Sequence, residues 1–344
     1  ILVVDCGSIF PKEDMLGIDL VIPDVTYLQR NRDRIRGILV THGHEDHIGA
    51  IPYVVKQLGG VVPIYGTRLT LALIELKLKE HRAMPNVALH TVKPGSSEKI
   101  GAFDVDFIKM SHSIAGAVAM AIKCSVGTIV VTGDFKVDYT RMDFQKLAEL
   151  GKRGVLALLM DSTNVERGGY TMSEKTVGET FNSFFPKAEG RIIIAMFASN
   201  VHRIQQVVDS AQHYGRKVCL TGRSMINVST VAMQLGELRI PSDVMISIDD
   251  LDRYPDEEIV VITTGSQGEQ MSGLTRMAFS EHRKLDIKPS DMVIISANPI
   301  PGNELSVSRV IDQLLRKGAN VIYESLAEVH VSGHACQEEL KLMH

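Results

Sequence analysis

The sequence predicts an α/β protein: an αβ/βα sandwich across its first half, followed by a doubly wound parallel sheet. Three observations carry that reading. Short apolar, β-branched runs alternate with helical segments along the whole chain. From about residue 176 the alternation becomes regular, most strands being followed by a helix, as a parallel sheet requires. And the apolar run over 37–41 opens directly into a loop bearing His42, His44, Asp46 and His47, at the kind of strand end where such folds gather their chemistry.

Size and composition set the bounds. At 344 residues the chain has room for two domains. With 44% hydrophobic and 23% charged residues it falls outside the disordered class. No apolar run is long enough to span a bilayer and no signal peptide is visible, so no membrane partner is expected. The chain opens on a strand without an initiator methionine, which reads as a trimmed start. Cys6, Cys124, Cys219 and Cys336 are scattered with no C-x-x-C pair, as in reduced thiols of a cytoplasmic protein. A net charge of −4 excludes blanket attraction to nucleic acid, so any such ligand needs local arginines, metals or backbone amides.

In chain order, strands are expected over 1–5, 37–41, 61–65, 105–109, 117–123, 128–132 and 155–160, with helices over 48–58, 67–81 and 143–151. Asp5 ends the first strand, where a carboxylate can orient a metal-binding histidine or simply serve as a turn residue. In the loop, a tight turn at Gly43 lets His42 and His44 face one way, because alternate residues of extended backbone share a face. Asp46 and His47 fall at the start of the next helix, displaced toward a second position. Two diverging ligand pairs imply two metals, and the ligand types favour zinc, with manganese as the alternative. His112 and Asp134 each follow a strand and are further candidates.

The second half predicts strands over 191–197, 217–221, 244–248, 258–264, 291–297 and 320–324, with helices over 200–214, 223–235, 274–281 and 304–317. The turns Gly222-Arg223-Ser224 and Ser266-Gln267-Gly268 follow strands and can offer backbone N–H groups to phosphates. In the last stretch His330, Ser332 and His334 alternate. If extended they share a face, giving two hydrogen-bond donors and an acid.

His42-Gly43-His44-Glu45-Asp46-His47 resembles the H-x-H-x-D-H signature of the metallo-β-lactamase fold superfamily. Leu159 to Asn164, Phe197 to Arg203 and His330 to His334 resemble motifs A, B and C of its β-CASP group, in the form found in the ribonuclease J family. The stretches 264–269 and 299–303 are similar to that family as well. The resemblance implies His42, His44 and His112 on one zinc, Asp46 and His47 on another, and Asp134 between them. Asp161, His202 and His334 would be the motif residues, with His334 as general acid. It implies a β-CASP domain over about 177–325 inserted between a metallo-β-lactamase domain (1–176) and its return segment (326–344), with the active site in the crevice between domains.

The implied activity is metal-assisted hydrolysis of RNA in maturation and decay, 5′-to-3′ exonucleolytic and endonucleolytic. The products would carry 5′-phosphate and 3′-hydroxyl ends. The implied substrate is single-stranded RNA with a 5′-monophosphate; His330 and Ser332 are expected to stabilise the phosphoryl charge, and the strand-end turns make Arg223, Ser224 and Ser266 the candidates for the terminal phosphate. The family also has a late histidine ligand and a dimerising C-terminal domain past the point where this chain stops at His344, so a homo-oligomer is expected of the intact protein. Two rivals remain: another hydrolase of the same fold, such as a glyoxalase-type thioesterase, and a catalytically weak RNA-binding subunit of a degradation complex.

Overall fold

The computed structural model describes residues 1–9, 15–18, 20–269, 271–300 and 302–344; Pro301 of the 299–303 stretch lies outside them. The chain divides into two compact units, Ile1–Thr171 with Gly333–His344, and Met172–Ser332.

The first unit carries two sheets. Strands β1 (Leu2–Val4), β2 (Gly37–Leu39), β3 (Val62–Gly66) and β4 (Val87–Thr91) form a parallel sheet in sequence order. Strands β5 (Ser97–Ile100), β6 (Phe103–Lys109), β7 (Val118–Cys124), β8 (Gly127–Val131) and β9 (Ala157–Leu159) form the second, antiparallel except for β8 and β9. Leu39 of the first sheet packs with Val105, Phe107, Val118 and Met120 of the second, so one core lies between them. The alternate residues Ile108, Ala119, Ala121 and Val130 face the opposite way. They pack with Leu150 of helix Phe144–Arg153 and with Ala335 and Leu340 of the returning segment. Helices outside both sheets complete the αβ/βα sandwich that the sequence predicts.

In the second unit, β10 (Ile192–Ala195), β11 (Lys217–Leu220), β12 (Met245–Ile246), β13 (Ile259–Thr263), β14 (Met292–Ile295) and β15 (Asn320–Ile322) make a wholly parallel sheet. Its order is β12-β11-β13-β10-β14-β15. Its central strands are buried from end to end, as expected of strands covered on both faces. Among the described residues no helix is long and apolar enough to cross a membrane, and all four cysteines are free.

Candidate metal centre

The loop after β2 builds the centre. His42 is fully buried, His44 sits at the N-cap of the short helix Glu45–Ile48, and Asp46 and His47 lie within that helix. His44 Nδ1 is 3.1 Å from His42 Nε2 and 3.0 Å from His112 Nε2. Asp134 Oδ2 is 3.7 Å from His42 Nε2 and 3.9 Å from His112 Nε2. The same oxygen is 3.2 Å from His47 Nε2, which lies 3.7 Å from Asp46. Asp134 therefore belongs to two ligand groups, His42–His44–His112–Asp134 and Asp46–His47–Asp134, each with its atoms within 4.8 Å of one another.

Hydrogen-bond partners decide which ring nitrogens are bare. His112 Nδ1 lies 2.8 Å from the Gly333 carbonyl, which only accepts, so Nδ1 carries the proton and Nε2 presents a lone pair. His47 Nδ1 lies 2.7 Å from Asp5 Oδ2, with the same consequence when the ring is neutral. Thr41 Oγ1 donates to Asp5 Oδ2 at 2.8 Å and so accepts from His42 Nδ1 at 3.0 Å, which leaves His42 Nε2 bare. The lone pairs of His42 Nε2 and His112 Nε2 thus point toward His44 and the Asp134 carboxylate, a donor set suited to a cation. Nitrogen ligands at about 2.0–2.1 Å on a tetrahedral ion stand about 3.3 Å apart, close to the separations here.

Electrostatics divide the two groups. Burial, then the neighbouring imidazoles, holds His42 and His112 well below the ordinary histidine value. Burial takes His44 down to about 4 despite the pull of Asp134. At His47 burial also disfavours the charge, but hydrogen bonds to Asp134 and Asp5 outweigh it and raise the ring to about 10. Burial raises Asp46.

Local backbone makes these contacts possible. Asp5 adopts φ 56°, a left-handed conformation uncommon outside glycine, which is where its carboxylate meets Thr41 and His47. At Gly333 a Cβ would stand 2.7 Å from His112 Cε1, so only glycine lets that carbonyl reach the ring.

The returning segment brings His334 beside the centre. Its Nδ1 is 2.9 Å from Asp161 Oδ2, and Asp134, Asp161 and His334 form a third convergent group. Asp161 also accepts from the backbone of Phe135 and Thr163. Burial works against the proton on His334, but Asp161 outweighs it and raises the ring; His334 in turn lowers Asp161 against its burial. The His334 carbonyl accepts from Asn164 and Thr171.

In the second unit, His202 is half-buried at the start of helix Val201–His213. Beside it Arg203 is fully buried. It donates to the Ser296 carbonyl at 2.9 Å, to His330 Nδ1 at 2.8 Å and to Glu174 at 3.1 Å. A guanidinium only donates, so His330 Nδ1 accepts and Nε2 carries the proton. The stretch 329–334 is not a strand: it is irregular and bends at Gly333 and His334. Buried and half-buried residues alternate through it, His330, Ser332 and His334 being the half-buried ones, and Gly333 turns its carbonyl onto His112. Arg223 and Ser224 are exposed at the start of helix Arg223–Leu235, whereas Ser266 is buried. Their two turns adjoin, since a Cβ on Gly222 would lie 3.0 Å from Thr264 Oγ1.

Sequence reasoning missed Thr41, Gly333, Arg203 and Glu339. Glu339 is buried, and its carboxylate accepts from the backbone of Val137, Thr171 and Cys336 and from the Thr171 hydroxyl. The available signal was its place three residues after the helix N-cap, obscured because that N-cap is Cys336.

Fold and centre together define a class. The metallo-β-lactamase superfamily model matches residues 1–161, and the model of the ribonuclease J β-CASP domain matches 189–314. The chain is 46% identical over 348 residues to "Ribonuclease J" of Helicobacter pylori, covering 99% of this chain and 50% of that protein. It is 45% identical to "Ribonuclease J" of Thermus thermophilus (100% and 61%) and 44% identical to "Ribonuclease J2" of Bacillus subtilis (100% and 62%). The chain belongs to the ribonuclease J family. It spans between 50% and 62% of the length of these relatives. A solved structure of a protein of unknown function from Enterococcus faecalis V583 shares the fold, with a TM-score of 0.64 at 15% identity, covering 99% of this chain and 85% of that one.

Proposed function

We propose that this chain is the catalytic part of a metal-dependent ribonuclease. One observation carries the reading: imidazole nitrogens of two potential ligand groups converge on Asp134, with the His334–Asp161 pair at the same carboxylate. His42, His44 and His112 would hold one zinc, Asp46 and His47 the other, with Asp134 shared; manganese suits the carboxylate-rich side as well. When bound, such ions supply the Lewis acidity that brings the pKa of water toward neutrality and offsets phosphoryl charge.

The chain's own residues do the rest. Asp5 orients His47 directly and His42 through Thr41. Asp161 fixes Nδ1 of His334 and favours its protonated form, so that Nε2 can deliver a proton to the departing 3′-oxygen. The products are a 5′-phosphate and a 3′-hydroxyl. His330, held with its proton on Nε2, and Ser332 donate to phosphoryl oxygens. His202 is assigned to the same machinery on its motif alone. Arg223, Ser224 and Ser266 take the terminal phosphate of single-stranded 5′-monophosphorylated RNA, degraded 5′-to-3′ and cleaved internally. The intact protein is a cytoplasmic homo-oligomer.

The test is cleavage of RNA carrying a 5′-monophosphate or a 5′-triphosphate by the full-length protein. Release of 5′-nucleotides, faster from the monophosphate, is the expected result. Absence of cleavage with both metal positions filled overturns the proposal.

A further inference from the structure

The second unit holds a cavity of about 600 Å³ that adjoins the Gly222-Arg223-Ser224 turn but is lined by residues not assigned above. Its walls come from three neighbouring strand ends. Thr221 follows β11, Ile248 lies two residues after β12, and the stretch from Met271 to Arg283 follows β13. From β11 the chain runs outward to the edge strand β12. From β13 it runs the other way, past β10, to β14. Where onward connections diverge, a crevice opens at the carboxyl ends of the strands, and parallel sheets bind their ligands there.

The lining has a specific chemistry. Two guanidiniums, Arg276 and Arg283, reach the cavity, and neither has a carboxylate partner among the described residues. Arg276 Nη2 donates to the Glu281 carbonyl at 3.3 Å, which leaves other N–H groups of its fork for a ligand. His282 Nδ1 accepts from the backbone of Lys284 and Leu285, at 3.3 and 3.1 Å, so its Nε2 carries the proton and donates. Thr221 adds a hydroxyl. Against these cationic and neutral donors stand the Glu281 carboxylate and two apolar side chains, Ile248 and the 82% exposed Met271.

We infer that this cavity binds a mononucleotide unit. Its phosphate lies on Arg276 and Arg283, which match a phosphate in bidentate fashion. The ribose hydroxyls donate to Glu281, as they do to acidic residues in other nucleotide sites. The base rests on Ile248 and Met271. Phosphate alone would leave Glu281 and the apolar wall unused, and an acidic peptide would meet Glu281 as a like charge. The volume fits a ligand of this size. The unit can be a free nucleoside monophosphate or one residue of an RNA chain; the chemistry recognised is the same.

The experiment uses the metal-free chain with ¹³C-methyl-labelled methionine, the Met271 signal being assigned with Met271→Leu. AMP, adenosine, inorganic phosphate and a short oligoribonucleotide with no terminal phosphate are titrated separately. AMP is expected to shift the Met271 methyl and to bind at least about tenfold more tightly than adenosine or phosphate. Arg283→Glu, at an exposed position, is expected to weaken AMP at least about tenfold with thermal stability unchanged. A response to AMP alone identifies the free nucleotide as ligand, and a stronger response to the oligoribonucleotide identifies the RNA chain. No Met271 shift with either, equal affinity for phosphate and AMP, or indifference to Arg283→Glu overturns the inference. AMP binding that is indifferent to Arg283→Glu would place the nucleotide at the adjoining Arg223–Ser224 turn instead; the ribonuclease reading itself is tested separately, by cleavage.

Discussion

His47 Nδ1 lies 2.7 Å from Asp5 Oδ2 while its Nε2 faces Asp134 Oδ2 at 3.2 Å, so one imidazole is clamped between two carboxylates. That clamp raises His47 to about 10, whereas His44, in the other ligand group, is lowered to about 4. Without metal at neutral pH, His47 therefore carries both protons, and the imidazoles of the first group carry one each. Filling the Asp46–His47–Asp134 position must expel a proton; filling the other need not. Calorimetric zinc titrations in buffers of different ionisation heat should show about one proton released at the second position near pH 7 and almost none at the first. Affinity at the second position should climb roughly tenfold per pH unit until the pH approaches about 10. The metal-free protein should behave oppositely. A folded pKa raised from 6.5 to about 10 contributes stability that is complete below 6.5 and is lost as pH rises through 10. Equal proton release at both positions would refute the assignment.

Arg203 fixes the tautomer of His330 by donating to its Nδ1. Nitrogen-15 spectra of the intact chain should show His330 protonated on Nε2. Arg203→Lys cannot serve Ser296, His330 and Glu174 at once, so it should destabilise the second unit by about 2–4 kcal/mol in chemical denaturation. It should also mix the His330 tautomers. A wild-type spectrum showing the Nδ1–H form would remove this role.

What the sequence disclosed follows from how local each signal was. His42, His44, Asp46 and His47 were legible because one strand end and one short helix present them together. His112 and Asp134 were legible as strand-end residues. β5 was not, because Ser97–Ile100 is a polar edge strand with only Ile100 buried, and no apolar run marks it. Helix Glu174–Phe184 shows only Val177 and Phe181 as its buried face, too sparse a stripe to stand out among threonines and a glycine. The helix expected over 48–58 is broken into Glu45–Ile48 and Ile51–Leu58. Gly49 marks the break: a Cβ there would stand 2.0 Å from Ser8 Oγ, a contact from another part of the chain. Thr41, Arg203, Gly333 and Glu339 act through partners remote in sequence, so nothing in their immediate neighbours reveals them.

Glu339 ties the returning helix Gln337–Met343 to Val137 and Thr171. Glu339→Gln keeps the shape but turns an amide NH₂ toward donors that need an acceptor. The cost should be about 2–3 kcal/mol in denaturant unfolding. Hydrogen exchange should speed up in 333–344 before it does elsewhere in the first unit. Uniform exchange across that unit would show that the carboxylate is not what holds the segment.

His334 and Asp161 should separate chemistry from metal binding. His334→Ala should lower RNA turnover by about two to four orders of magnitude while elemental analysis finds the metal content unchanged. Asp161→Asn removes the charge that keeps His334 raised. A group acting in its protonated form loses activity as pH rises through its pKa, so lowering that pKa moves the alkaline limb of the pH–rate profile to lower pH. The side chain of Asp161 also accepts from the Phe135 and Thr163 backbone, contacts that one amide oxygen can keep only in part, and some loss of stability will accompany the shift. The displaced limb distinguishes a proton-transfer role from a structural one, since a merely loosened fold lowers activity at every pH alike. An alkaline limb that stays where it was in Asp161→Asn would assign the departing proton to another group.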